Sequence, residues 1–310
     1  MELIRGLHNL RPRHRGCVAT IGAFDGVHRG HQAVLGQLID KARALGLPSC
    51  VVVFEPLPRE FFAPAEAPPR LMSFREKFVA LRALGIDRVL RIRFTPGFRD
   101  MGAGEFIRRV FVEGLQARYV VVGDDLRFGR NRRGNFRVLQ EAGEKYGFET
   151  VATSTIVAEN ERISSTRIRQ ALQDSDFELA ERLLGRPYSI SGRVITGQQL
   201  GRRLGTPTAN LELRRLRSPM DGVYAVEVRG VDPGLWPGVA NVGTRPTIGD
   251  LTKAILEVHL LDFDRDIYRS IIEVIFRRKL REERRFDSLE ALKVQVQEDI
   301  AEGRRYFGRV

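Results

Sequence analysis

Along the first half of the chain, short β-branched runs alternate with stretches in which apolar residues recur every three or four positions. The runs are CVATI, CVVVF, RVLRI, YVVVG and GFETV, between Cys17 and Val151. Between them lie HQAVLGQLIDKARALG, SFREKFVALRALG, AGEFIRRVFVEGL and NFRVLQEAGEKYG. The first pattern has the period of a buried strand and the second that of an amphipathic helix. Ser73 and Glu76 are spaced as a capping box at the head of one helix. Strand, helix and strand repeated in this order predict a parallel sheet wound right-handed under covering helices.

The texture changes near Arg186. The helical pattern DFELAERLLG ends at Gly185, and Pro187 forbids its continuation. We therefore expect a Rossmann-like α/β domain over residues 1–185 and a second domain over residues 186–310. The second half reads as short alternating runs between Gly and Pro turns: YSISGRVITG, TANLEL, GVYAVEVRG, GVANVG, AILEVHLLDF and SIIEVIFRRKL. Strands of that length and spacing predict a small antiparallel β-barrel. A terminal helix follows, with Asp287 and Glu290 set as a capping box. Leu289, Leu292, Val296, Ile300 and Phe307 form an apolar stripe expected to pack on the barrel.

Charge adds a constraint on partners. Against 39 acidic residues stand 51 basic ones, a net charge of +12, which draws in anions: a nucleic acid or a nucleotide carrying several phosphates. The basic run RFGRNRRGNFR is read as a loop near phosphates or a solvated face, and no nucleic-acid partner is expected. No apolar run approaches the roughly 20 residues of a membrane helix, and MELIRGLHNLRPRHRG lacks the apolar core of a secretory signal. A cytoplasmic protein without a membrane partner is expected, with self-association at most weak or transient. Cys17 and Cys50 match no metal spacing and abut apolar runs, so both are expected as buried, reduced thiols.

The stretch GAFDGVHRGH follows the first predicted strand and opens the first predicted helix, at the sheet edge where α/β folds bind ligands. Backbone N–H groups and the helix dipole there favour a phosphate. His28 and His31, three apart, project from one face and offer two imidazole donors; Gly30 leaves no side chain between them. Histidines merely on a helix surface are the plainer alternative. Zinc would need further ligands, and no matching cluster accompanies the pair. A dinucleotide G-x-G-x-x-G turn is absent. Downstream, ERISSTRIRQAL has Ser165 or Thr166 to cap a short helix and Arg169 to reach phosphates.

A second candidate site opens the barrel. In GRVITGQQLGRRLGTPTANLEL, Gly192, Gly197, Gly201 and Gly205 let backbone approach a ligand. Thr208 and Asn210 are two neutral oxygen ligands sharing a face of an extended chain, a set that suits magnesium, which keeps water and phosphates for its other ligands. A polar turn is the alternative. In AILEVHLLDF, a strand would turn Leu256, Val258 and Leu260 one way and Glu257 and His259 the other. Glu257 could then take a hydroxyl proton during phosphoryl transfer, or could be an ordinary exposed strand carboxylate.

GAFDGVHRGH with ERISSTRIRQAL resembles the paired motifs of the nucleotidyltransferase superfamily. The longer form G-x-F-D-G-x-H-x-G-H, with VVVFEPLPREFF, RLMSFREKFVALRALGIDRVL and VVGDDLRFGRNRRG, resembles the adenylyltransferase half of the bacterial bifunctional riboflavin kinase/FMN adenylyltransferases, or FAD synthetases. The second half is similar to their riboflavin kinase domain through G-R-x-L-G-x-P-T-A-N, GVYAV, NVGTRPTIG, LEVHLLDFDRDIY and FRRKLREERRFDSLEAL. The resemblance implies an enzyme that phosphorylates riboflavin to FMN and adenylates FMN to FAD, with ATP as co-substrate and Mg2+. It implies that Gly22, Phe24, His28, Gly30, His31, Arg162, Ser165, Thr166 and Arg169 hold ATP in the first half, and Gly197 and Gly205 in the second. Asp125, Phe62, Phe106 and Phe128 become flavin contacts, Thr208 and Asn210 metal ligands, and Glu257 the base for the ribityl hydroxyl. Two positions depart from the family pattern: Thr206 replaces a bulkier residue, and Arg269 replaces a glycine.

Overall fold

The computed structural model describes residues 1–153, 157–158, 161–197, 205–246 and 252–309; Gly201 and the 247–249 part of the NVGTRPTIG motif lie outside them. The chain divides into two compact units, residues 1–68 with 77–164, and residues 69–76 with 165–310. Among the described residues no helix is long and apolar enough to cross a membrane.

The first unit is built on a six-stranded parallel sheet. Its strands are β1 (Glu2–Arg5), β2 (Val18–Ile21), β3 (Ser49–Phe54), β4 (Arg88–Ile92), β5 (Tyr119–Gly123) and β6 (Glu149–Thr153), in the order β1-β4-β3-β2-β5-β6. All four residues of β2 are buried, as expected of a central strand covered on both faces, where alternation disappears and the run reads as apolar throughout. Cys17 and Cys50 are free and buried, and Cys17 beside Cys50, together with burial, raises the Cys50 thiol pKa well above the ordinary range. Neither thiol is exposed as a nucleophile.

Helices α1 (Arg29–Ala44), α2 (Pro58–Phe62), α3 (Phe74–Ala83), α4 (Pro96–Arg99), α5 (Ala103–Ile107) and α6 (Phe136–Tyr146) fill the connections. One differs from expectation: the helix expected over 103–115 changes at Ile107 into a π-helical turn, Arg108–Gly114. The first helix begins at Arg29, with His28 as its N-cap. Strand β1 was not foreseen: it is four residues long, and its place is set by pairing with β4, Glu2 opposite Arg88 through Arg5 opposite Arg91.

The second unit contains α7 (Ser165–Gln173), α8 (Phe177–Leu184) and a closed barrel of six strands, while a separate two-stranded ribbon, β7 (Val157–Ala158) and β8 (Glu161–Arg162), belongs to the first unit. The barrel strands are β9 (Ser189–Ile195), β10 (Ala209–Glu212), β11 (Gly222–Arg229), β12 (Trp236–Pro246), β13 (Thr252–Leu260) and β14 (Ile271–Arg281). They close in the order β10-β13-β12-β11-β14-β9, antiparallel throughout. Along β9, β10 and β13, buried Ile190, Val194, Leu211, Leu256 and Val258 alternate with more exposed neighbours, as a one-faced core requires, whereas β11 and β14 also bury consecutive residues, Val223–Val226 and Val274–Phe276.

The terminal helix is α9 (Leu289–Tyr306). Ile300 packs with Val223, Val239 and Leu261, joined by Val296 and Phe307. Leu289 departs from the predicted stripe, 51% exposed at the first position of the helix. Ser288 caps the helix in place of Asp287, its hydroxyl accepting the Ala291 N–H at 3.1 Å. The predicted box at Ser73 and Glu76 is formed: the Glu76 carboxylate accepts the Ser73 N–H at 2.6 Å, and the Ser73 hydroxyl accepts the Glu76 N–H at 3.4 Å. Glu76 has a further task, accepting the Ser191 N–H at 2.7 Å and Arg215 Nη2 at 2.5 Å, all within the second unit.

Candidate active sites

Where β2 ends, residues 22–28 turn the chain into α1. His28 caps the helix with its own ring: Nδ1 accepts the His31 N–H at 3.2 Å. A nitrogen that accepts has no proton, so the neutral His28 ring carries its hydrogen on Nε2. The His31 ring stacks on it, centroids 3.6 Å apart and planes 16° apart. Phe24, 3% exposed, meets His31 edge-on at 5.1 Å. A Cβ at Gly30 would press to 3.2 Å on the His28 ring and lie 3.5 Å from the Ile163 carbonyl, and one at Gly22 would meet the Phe24 ring at 3.0 Å. Both glycines therefore let aromatic rings close over the turn.

His31 is half-buried. Burial first, then the nearby His28, Lys77 and Arg162 groups, which disfavour a further positive charge, hold its pKa well below the usual histidine range, so the ring is neutral at neutral pH. Its Nδ1 is buried without a hydrogen-bond partner among the described residues, a state that costs about 1–3 kcal/mol until a ligand supplies the bond. Arg162 on β8 pairs with Asp125 at 2.6 Å and lies 3.9 Å from Asp124. Two candidates far apart in sequence thus meet. Lys77, whose side chain is fully buried, went unread because a lysine in the first turn of an amphipathic helix has the sequence signature of a solvated residue.

Ser165, Thr166 and Arg169 all lie on α7, which packs with the second unit; Arg169 Nε donates to the Pro69 carbonyl at 2.6 Å. The helix begins at Ser165 itself. Among the phenylalanines, Phe62 is 60% exposed beside Phe61 and Phe94. Phe106 and Phe128 lie in the apolar core, ring centroids 5.4 Å apart.

In the barrel, Asn210 on β10 is the register partner of Glu257 on β13, and Glu257 is in turn the partner of Asn241 on β12. Partners in antiparallel strands point to the same face, so two amides flank one carboxylate on the face opposite buried Leu256 and Val258. Thr208 immediately precedes β10. A Cβ at Gly197 would sit 2.4–2.5 Å from the Asn210 amide atoms; only glycine leaves that amide room. Gly205 is exposed, with φ +76, and Thr206 is buried. His259, two residues beyond Glu257 and so on its face, is hydrogen-bonded through Nδ1 to the Pro207 carbonyl at 2.9 Å. Asn241 was not foreseen, because the pairing that brings it beside Glu257 is a tertiary property.

Comparison with known proteins finds a family model on each half of the chain. The family model described as FAD synthetase matches residues 10–167, and the one described as riboflavin kinase matches residues 184–307. The bifunctional riboflavin kinase/FMN adenylyltransferase of Pseudomonas fluorescens is 55% identical over 304 residues, covering 98% of this chain and 97% of that protein. Its counterpart in Escherichia coli K12 is 50% identical over 309 residues, covering 99% and 98%. The crystal structure of a macrolide-efflux protein from Streptococcus pneumoniae superposes with a TM-score of 0.75 at 30% identity, covering 96% of this chain and 97% of that one. With relatives this similar over their full lengths and a family model on each half, the chain belongs to the bifunctional riboflavin kinase/FMN adenylyltransferases, which make FMN from riboflavin and FAD from FMN.

Proposed function

We propose that the two activities divide along the chain, adenylation within residues 1–185 and phosphorylation within 186–310, and that the two side-chain constellations above carry them. The extents of the two family matches support this division.

For phosphorylation, Glu257 accepts the proton of the ribityl 5′-hydroxyl as its oxygen bonds to the γ-phosphorus of ATP and ADP leaves. The observation that carries this reading is the pairing of Asn210 with Glu257, which sets a hard oxygen ligand and a proton acceptor on adjoining strands, about 5 Å apart at Cα. The donor set fits magnesium: a hydroxyl at Thr208, an amide oxygen at Asn210, and the space left by Gly197 over that amide. Thr208 and Asn210 would hold the ion, which when bound neutralises charge on the transferring phosphoryl group. Gly197 and Gly205 give the nucleotide access to backbone.

For adenylation, an FMN phosphate oxygen bonds to the α-phosphorus of ATP and pyrophosphate leaves. The nucleophile is already ionic, so no strong base is needed. His28 Nε2–H, the His31 ring and the N-terminal amides of α1 donate to the phosphates, while Gly22, Phe24 and Gly30 shape the turn that presents them. Arg162, held by Asp125, adds charge, and Ser165, Thr166 and Arg169 complete the ATP contacts. Phe62, the exposed ring among the three phenylalanines, offers a face for the isoalloxazine. Two buried thiols accord with a cytoplasmic enzyme.

The test is to incubate the chain with riboflavin, ATP and magnesium and to separate the flavins chromatographically. His28→Ala should stop at FMN. Glu257→Ala should leave riboflavin untouched yet convert supplied FMN to FAD. Loss of both steps from either substitution would refute the division.

A further inference from the structure

The ladder between β10 and β13 ends at the pair Ala209–Val258. Thr208 lies one residue beyond that end, so strand pairing no longer fixes it, and Pro207 before it has no N–H with which to extend the ladder. Gly205, exposed and at φ +76, adds freedom to the approach. What continues the attachment is a side chain. His259 Nδ1 lies 2.9 Å from the Pro207 carbonyl, on the strand that carries Glu257 and on the same face. A carbonyl only accepts, so Nδ1 is the donor, and it carries a proton in both the neutral tautomer and the cation.

We propose that His259 is a positioning residue of the kinase site: by donating from Nδ1 to the Pro207 carbonyl it clamps Thr208 between that bond and the first ladder pair, and so keeps Thr208 and Asn210 aligned with Glu257. The inference rests on the reading of Thr208 and Asn210 as the metal and phosphate ligands. A partner that orients a ligand without touching the metal typically changes metal affinity 10–100-fold when removed, a range of about one to two decades. His259 acts here through the backbone of the ligand segment.

Three variants of the full chain test it. His259→Leu removes the donor, His259→Asn places an amide N–H where Nδ1 was, and His259→Gln places one where Nε2 was. In the ligand-free protein, hydrogen exchange at the amides of residues 208–211 should quicken about tenfold in the Leu and Gln variants and stay near wild type in the Asn variant. In FMN formation, the magnesium concentration for half-maximal rate should rise about tenfold for Leu and Gln, with the rate at saturating magnesium largely kept, and Asn should restore it. Exchange and magnesium dependence unmoved in all three, or equal damage from Asn and Leu, would overturn the clamp. Should the Leu variant not fold, Asn against Gln decides alone. Thr208→Ala, measured alongside, separates the two ideas. If exchange responds as expected but Thr208→Ala leaves magnesium dependence unchanged, the clamp stands and the ligand reading falls. If Thr208→Ala shifts it and no His259 variant does, the clamp falls.

Discussion

The ring of His31 lies flat on the ring of His28, centroids 3.6 Å apart, while the His31 backbone N–H donates to His28 Nδ1. This packing, with burial foremost, holds the His31 pKa well below the ordinary histidine value. In the unfolded chain the same ring takes up a proton near pH 6.5, roughly its model-peptide value. Above that pH both states are neutral and His31 contributes no pH dependence. Below it the unfolded state binds a proton that the native state refuses, so stability falls until the native pKa is reached. Urea titrations followed by far-UV circular dichroism should show this loss between about pH 7 and pH 5, and His31→Asn should make it shallower. Equal slopes in both proteins would show that His31 is not the titrating group.

Gly197 and Asn210 give a second expectation. A Cβ at residue 197 would lie 2.4–2.5 Å from the Asn210 amide, closer than any van der Waals contact, so Gly197→Ala must displace that side chain. FMN formation should drop by about 10–100-fold, as when a metal ligand loses its orientation, while FAD formation from supplied FMN stays intact. Normal FMN formation in this variant would mean that the Asn210 amide does not need its present place.

How much of this was legible depends on the range of the interactions involved. Central strands such as β2 and β3 are apolar on both faces and announce themselves locally. Strand β1 does not, since four residues carry too little pattern and their partner β4 lies over eighty residues away. The capping box at Ser73 was readable from spacing, but the Arg215 that shares Glu76 was not. At the terminal helix, Asp287 and Ser288 are both good caps, and only the first hydrogen bond distinguishes them. The H-x-G-H and P-T-A-N motifs were visible because each is contiguous. Asn241, Lys77 and the His259–Pro207 bond were not, because each depends on how separate segments pack. Phe62, Phe106 and Phe128 looked alike in sequence and differ in the fold, one exposed and two in the core.

Arg269, the departure from the glycine of the family pattern noted in the sequence, has a φ of +68. The left-handed region costs a non-glycine residue about 1–2 kcal/mol, against which glycine loses about 0.5–1 kcal/mol of extra chain entropy on folding. The backbone there is held in place, its N–H donating to the Val194 carbonyl at 2.9 Å and its carbonyl accepting Arg193 Nη1 at 2.8 Å. Arg269→Gly should therefore raise stability by about 0.5–1 kcal/mol, the difference of those two effects. Denaturant midpoints measure it, and a lower midpoint would show that the arginine side chain contributes more than its backbone costs.

The Glu76–Arg215 pair makes the sharpest stability prediction. Both side chains are buried, 7% and 1% exposed, and Oε2 meets Nη2 at 2.5 Å. The carboxylate also accepts the N–H groups of Ser73 and Ser191, and Arg215 Nη1 reaches the Tyr188 hydroxyl at 3.2 Å. Removing one charge leaves the other desolvated without its counterion, so Arg215→Met should cost about 3–5 kcal/mol. Glu76→Gln keeps the Oε1 acceptor for Ser191 but puts an amide N–H where Oε2 accepts from both Ser73 and Arg215, so it should also destabilise. In the double variant no ion is stranded, and the loss should be smaller than the sum of the single losses by about 0.5–3 kcal/mol. Urea titrations of the four proteins measure that coupling. Simple additivity would mean that the two groups act through separate neighbours, and that the ion pair itself contributes nothing to holding residues 69–76 in the second unit.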